Sequence, residues 1–289
     1  MGAASYQPDP YRPTGRPCYI PIMTEPMDAS AVETQWHAIL SGVGQRRDRL
    51  QRIFDRLPSD PRCRACSAPF GKPFGPLIGL LGFGRMKTLP QLCNPCFSGM
   101  ARHPGGAEIE LSMLFADVRG STALAERMPP AAYRALLDRF YATATSAVQG
   151  NGGIIDKFLG DGVMALFIPL MAGGGHAAAA RQAGRAILAG TELPVGAGVH
   201  TGSAWVGFVG GSGDVQGFTA IGDAVNAAHR LGEQAAAGEL LLSDATASAA
   251  ALDTVALEHR ELGLKGREQP MGVWSELVPR VAPDPSAAT

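Results

Sequence analysis

Apolar residues first recur at steps of three and four, over Val32, Trp36, Ile39, Leu40, Val43, Leu50, Ile53, Phe54 and Leu57. That spacing predicts a helix near residues 30–57. Ser30-Ala31-Val32-Glu33 fits a capping box at its start, Pro58 stops it, and Gly42 and Gly44 weaken its middle. From Ile109 onward, short apolar runs alternate with amphipathic stretches. Met113–Ala116 reads as a buried strand that delivers Asp117 to its end, and a glycine turn at Gly120 then opens a helical pattern. Ala131–Val148 predicts an amphipathic helix carrying Tyr133, Leu136, Leu137, Phe140, Tyr141 and Val148, broken by Gly152-Gly153. Ile154–Leu159 and Val163–Phe167 predict a hairpin around Gly160-Asp161-Gly162. Ala177–Ala189 reads as a helix, Val195–Thr201 and Ala204–Val209 as two strands, Thr219–Ile221 as another, and Asp223–Ala235 as a helix. Leu240–Ser243, Leu262–Leu264 and Gly272–Leu277 complete the strands. Helices covering a sheet is the packing that buries such a pattern.

Composition narrows the classes. At 289 residues the chain can bury a real core, and its 37 glycines suit tight turns and phosphate loops. A net charge of -1 argues against a nucleic-acid binder or a polybasic membrane protein. The longest apolar candidate, Phe74–Phe83, is too short for a membrane span and is broken by Gly75, Pro76, Gly79 and Gly82. The N-terminus lacks the basic start and apolar core of a secretory signal, so a soluble cytoplasmic protein is expected. Six prolines and no apolar periodicity make residues 1–27 a disordered tail, and 280–289 a second one.

Four cysteines add chemistry. Cys63-Arg-Ala-Cys66 and Cys93-Asn-Pro-Cys96 are two CxxC pairs separated by 26 residues. Two such knuckles present four thiolates to one tetrahedral Zn²⁺. An iron–sulfur cluster also takes four thiolates, and a redox pair is the third alternative. Four protein ligands leave no open position, so the group reads as a structural staple for a helix-plus-cysteine module over 28–105. Cys18 stands apart as a free thiol.

The second chemical signal is a pair of carboxylates. Asp117 ends a strand and Asp161 tips a hairpin. If the strands are neighbours, both reach one point and can bind paired Mg²⁺ or Mn²⁺ ions about 3.5–4 Å apart. Taken singly, Asp117 is equally a helix cap and Asp161 equally a turn residue.

FADVRGST, KFLGDGVMALF, GVHTGSAWVGFVG, FTAIGDAVNAAHRL and LKG, in this order and spacing, resemble the class III adenylate/guanylate cyclase catalytic domain over about residues 109–278. The resemblance implies an α+β fold, a ferredoxin-like mixed sheet covered by helices over 106–279, preceded by the small helical, zinc-knuckle module. It also implies roles. Asp117 and Asp161 match the two metal-binding aspartates, with the Val118 carbonyl as a backbone ligand. Lys157 and Thr219 match the positions that read the purine, Asn226 the residue that orients the ribose, Arg230 the one that steadies the α-phosphate, and Lys265 the one on the terminal phosphates. Lys with Asp or Thr at the purine positions accompanies ATP in this family, and Glu with a small residue such as Cys accompanies GTP. Two departures stand out: Thr219 where Asp is common, and His229 where a small residue is usual.

The implied activity is conversion of ATP to 3′,5′-cyclic AMP and pyrophosphate by two-metal phosphoryl transfer, regulated by the N-terminal module. The family builds its site between two catalytic domains, and this chain carries both residue sets in one, which implies a homodimer with shared sites. The alternatives are a guanylate or mixed-specificity cyclase and a non-catalytic nucleotide-binding regulator. A zinc-dependent nucleic-acid binder gets little support from the charge balance.

Overall fold

The computed structural model describes residues 28–42, 49–87, 89–102, 105–209, 217–263 and 269–280. The tail over 1–27 with Cys18, and Lys265, lie outside the described residues. The chain divides into two compact units. One comprises Met1–Gln35, Gly44–Gly105 and Phe208–Gln216, and the other Trp36–Val43, Gly106–Gly207 and Gly217–Thr289.

The predicted long helix is interrupted. α1 spans Ala29–Leu40 and α2 spans Arg49–Asp55. Gly42 adopts φ 68°, the left-handed conformation that ends helices, so the three-and-four periodicity outlasts the helix itself. α1 is capped by Asp28, whose carboxylate accepts from the Ala31 amide at 2.8 Å, rather than by the Ser30 box. The first unit continues through a short helix α3 (Gly75–Ile78), a π-type turn at Gly79–Phe83 and α4 (Asn94–Arg102). The sequence reading missed α4 because Pro95 and Gly99 sit in it. Proline is tolerated in a first helical turn, where the amides have no intrahelical partner.

The second unit begins with β1 (Gly106–Val118), α5 (Ser121–Glu126), α6 (Pro130–Gly150), β2 (Ile154–Phe158) and β3 (Gly162–Phe167). A short α7 (Pro169–Ala172) leads into α8 (His176–Gly190) and β4 (Val195–Val209). β5 (Gly217–Ile221), α9 (Asp223–Gln234), β6 (Glu239–Ser243), α10 (Asp244–Ala249), β7 (Glu258–Leu262) and β8 (Met271–Leu277) complete it. The sheet runs β2-β3-β1-β4-β6-β8-β7, with β5 paired to β4. β1, α6, β2, β3, α8 and β4 form a βαββαβ unit whose strands lie in the order 2-3-1-4 and pair antiparallel, the ferredoxin-like arrangement.

Two strand readings change. The strands expected at 195–201 and 204–209 are one, because Gly202 and Ser203 pair in register with Leu111 and Glu110 of β1. The strand expected at 262–264 runs instead over Glu258–Leu262, with charged residues because it is the sheet edge.

Alternation along β1 decides what each face carries. Leu114, Ala116 and Val118 join Phe140, Ala144 and Val148 of α6 and Ala180, Ala183 and Ile187 of α8 in the main core. Phe115 points the other way, against His229 of α9 at 5.1 Å between ring centres. Asp117 shares the parity of Phe115, so the strand end presents it away from the main core. Among the described residues no helix is long and apolar enough to cross a membrane.

Candidate active site

β1 and β3 are antiparallel neighbours with Asp117 opposite Gly162. Asp161 precedes Gly162, and its carbonyl accepts from the Val118 amide at 3.0 Å. The two aspartates therefore meet at one end of the sheet, as the hairpin reading required. A Cβ on residue 162 would stand 3.1 Å from both Asp117 Oδ1 and the Ala116 carbonyl, so glycine lets the turn approach the carboxylate. Burial raises the Asp117 carboxyl above its ordinary range, and the Asp161 charge adds to the rise while Arg119 opposes it. Arg119 ion-pairs with Asp117 Oδ2 and donates to the Glu233 carbonyl at 2.6 Å. Two carboxylates held together against their mutual repulsion form a donor set that suits divalent cations.

Beyond Asp117, Gly120 adopts φ 67° with open space around its Cα, so its backbone conformation is what calls for glycine. An open pocket lined by Ser121, Thr122, Ala125, Glu126 and Tyr133 follows. It lies beside the aspartates: burial raises the Tyr133 phenol above its usual range, and the charges of Asp161 and Asp117 raise it further.

Lys157 on β2 and Thr219 on β5 come together, with Lys157 Nζ donating to Thr219 Oγ1 at 3.1 Å. Asn226 and Arg230 lie one turn apart on α9; Asn226 is exposed, and Arg230 pairs with Glu233 at 2.7 Å. α9 lies close on β1, since a Cβ at Gly232 would stand 2.9 Å from the Phe115 Cβ. Among the described residues, no hydrogen bond or ion pair joins Asn226 or Arg230 to the aspartates or to Lys157 and Thr219.

The sequence profile of the adenylate and guanylate cyclase catalytic domain matches residues 107–276, more than half of the chain. The chain belongs to this family. An uncharacterized protein of Mycobacterium tuberculosis is 35% identical over 181 residues, covering 58% of this chain and 32% of that protein. An adenylate cyclase of Anabaena cylindrica is 37% identical over 133 residues, covering 42% of this chain and 26% of that enzyme. The chain thus matches about a third or less of each relative's length. Among solved structures, the adenylyl cyclase CyaB from P. aeruginosa superposes with TM-score 0.53 and 29% identity, covering 59% of this chain and 95% of that one. The matched residues run from the start of β1 into β8.

The four cysteines lie in the first unit and converge. Cys63 begins a tight turn closed by the Ser67 amide on its carbonyl at 2.9 Å, with Ser67 at φ 60°. Cys93 precedes α4 and Cys96 lies in its first turn. All four sulfurs lie within 4.8 Å of one another and are buried, with Cys66 and Cys93 at 3.6 Å. One ion about 2.3 Å from each of four sulfurs separates them by about 3.8 Å, so the cluster can hold a single tetrahedral metal. Cys66 pushes the Cys63 thiol up, but Cys93 and Cys96 together outweigh it and bring it below its usual value. The Cys93 amide also lies 3.3 Å from Cys63 Sγ, where it donates to a thiolate.

Three residues the sequence reading did not single out belong to the site. Asp156, with a side chain 1% exposed, sits beneath Lys157 at 2.6 Å. Arg119 and Glu233 hold Asp117 and Arg230 respectively. The motif FADVRGST contains Arg119, but no pattern marks Asp156 as buried, because a bulge sets its direction.

Proposed function

We propose that this protein is an adenylate cyclase that converts ATP to 3′,5′-cyclic AMP and pyrophosphate in sites shared by two copies of the chain. The observation that carries the nucleotide assignment is the contact between Lys157 and Thr219. An ammonium donates to the adenine N1 acceptor, and a threonine oxygen accepts from the exocyclic amine. Guanine presents the reverse edge, with an N1 donor that the ammonium cannot pair and an O6 acceptor in place of the amine.

Asp117, Asp161 and the Val118 carbonyl would hold two Mg²⁺ or Mn²⁺ ions, and the crowding of the two carboxylates fits that load. Such ions supply acidification of the ribose 3′-hydroxyl and charge neutralisation of the triphosphate. The chain's own groups do the positioning. Asn226 orients the ribose, Arg230 balances charge on the α-phosphoryl oxygens, Lys265 meets the terminal phosphates, and the amides that open α5 after Gly120 face phosphate, those of Val118 and Arg119 being bonded to the Asp161 and Pro194 carbonyls.

A shared site is what family membership leads us to expect, and it agrees with the absence, among the described residues, of any direct hydrogen bond or ion pair between the aspartates and Asn226 or Arg230 in one chain. It is also supported by exposed apolar residues beside the purine pair: Phe158 is 44% exposed, Leu159 43% and Ile221 54%. A second copy would bury them. The four-cysteine cluster is assigned to structural Zn²⁺, since an iron–sulfur cluster interposes several atoms between its thiolates and spreads them farther apart. Its module is assigned a regulatory role.

Turnover of ATP and GTP in parallel, with Mg²⁺ and with Mn²⁺, tests the reading. Cyclic AMP formation that disappears in Asp161→Ala is the expected result. Cyclic GMP as the main product would assign the guanylate alternative, and no product from residues 106–289 alone would favour the non-catalytic one.

A further inference from the structure

The register of β2 against β3 shifts between Ile155 and Lys157, which takes Asp156 out of the ladder and turns its side chain into the protein. Its Oδ2 lies 2.6 Å from Lys157 Nζ and accepts from the Thr219 hydroxyl at 3.0 Å. Lys157 Nζ donates to Thr219 Oγ1 at 3.1 Å and closes a triangle. The direction of every hydrogen in it is set, since a carboxylate has no hydrogen to give and an ammonium has no lone pair to receive one. Thr219 gives its single hydrogen to Asp156, takes one from Lys157 and retains one lone pair. Lys157 gives one N–H to each partner and retains the third.

A threonine hydroxyl left to itself donates and accepts equally well, so it cannot tell an exocyclic amine from a carbonyl. We infer that Asp156 is a positioning residue for nucleotide specificity: it fixes the Thr219 hydroxyl as an acceptor and Lys157 as the adjacent donor, the pattern complementary to adenine. Thr219 then behaves as the acceptor-only aspartate common at this position would. The inference rests on the adenylate cyclase reading and deepens it, naming the group that sets its selectivity. A purely structural ion pair would hold Lys157 just as well, but it would have no reason to engage the Thr219 hydrogen.

The test is the ratio of kcat/KM for ATP to kcat/KM for GTP in the full chain. In Asp156→Asn the amide can donate to Thr219, which frees the Thr219 hydrogen for a guanine O6. The ratio should fall about tenfold, the scale of one redirected hydrogen bond. The double variant Asp156→Asn/Thr219→Asp should restore the ATP preference, because a carboxylate at 219 accepts without help. An unchanged ratio in active Asp156→Asn overturns the inference alone. So does an equal loss on both nucleotides that the double variant leaves unrestored, and so does a wild-type preference for GTP. No cyclic product from wild-type protein with either nucleotide overturns the cyclase reading and this inference with it. Should Asp156→Asn not fold, Asp156→Ala takes its place, since it too leaves the Thr219 hydrogen unclaimed; the ratio must fall there as well, and an unchanged ratio overturns the inference.

Discussion

At residue 162 a side chain would crowd its neighbours, because a Cβ there would stand 3.1 Å from both Asp117 Oδ1 and the Ala116 carbonyl, and of the two the carboxylate is the one free to give way. Gly162→Val should therefore displace the Asp117 carboxylate. Cyclase activity is expected to fall about a hundredfold, while a thermal melt still shows one cooperative transition. An unchanged rate would mean that Asp117 does not need its observed position. Asp117 and Asp161 were legible in the sequence because a strand end and a Gly-Asp-Gly hairpin each carry a local signature. That the two meet followed only once β1 and β3 proved to be neighbours. Lys157 and Thr219 carry no signature of their own and were reached through the resemblance to the cyclase family. Asp156 was illegible, since the bulge that buries it arises from the pairing of β2 with β3 and not from a turn residue.

Among the elements, α8 is tied to β8 by charge as well as by packing. Glu276 is 6% exposed, takes a two-pronged contact from Arg181 at 2.9 and 3.0 Å, and also pairs with Arg185. Glu276→Ala would leave two guanidinium groups without their carboxylate. The loss measured by urea unfolding should be about 2 kcal/mol, below the usual range for a buried pair because Arg185 stays hydrated. α8 also begins at His176, whose Nδ1 lies 2.9 Å from Ser112 Oγ on β1, which in turn contacts Thr201 on β4 at 2.7 Å. Burial lowers the His176 pKa from its usual 6.5, against a smaller opposing effect of Glu110. The unfolded chain then takes up a proton near pH 6.5 that the folded chain refuses. Stability from this residue is whole above that pH and falls as the pH drops from 6.5 toward the lowered folded value. Urea midpoints of wild type and His176→Asn at pH 7.5, 6.5 and 5.5 should diverge in slope, with the variant flatter. The element types were largely legible, because periods of two and of three to four residues are local. The breaks were not: α1 ends at a glycine whose apolar flanks continue the helical pattern, and β4 runs unbroken through Gly202 because β1 pairs along its length.

For the molecule as a whole, the cysteine module and the cyclase domain call for separate tests. Metal analysis of the purified full chain should find one zinc per chain, lost in Cys63→Ser/Cys93→Ser; iron with sulfide would overturn the zinc assignment. For the catalytic domain, the proposal is that each chain carries both sets of groups and that each site draws its aspartates from one copy and its Asn226 and Arg230 from the other. Mixing Asp117→Ala protein with Asn226→Ala protein tests it most directly. Each variant alone should be inactive. The equimolar mixture should recover about a quarter of wild-type cyclic AMP formation, because half of randomly assorted dimers are mixed and each mixed dimer holds one intact site of two. No recovery, with the mixed dimer demonstrated by mass spectrometry, would contradict the shared site.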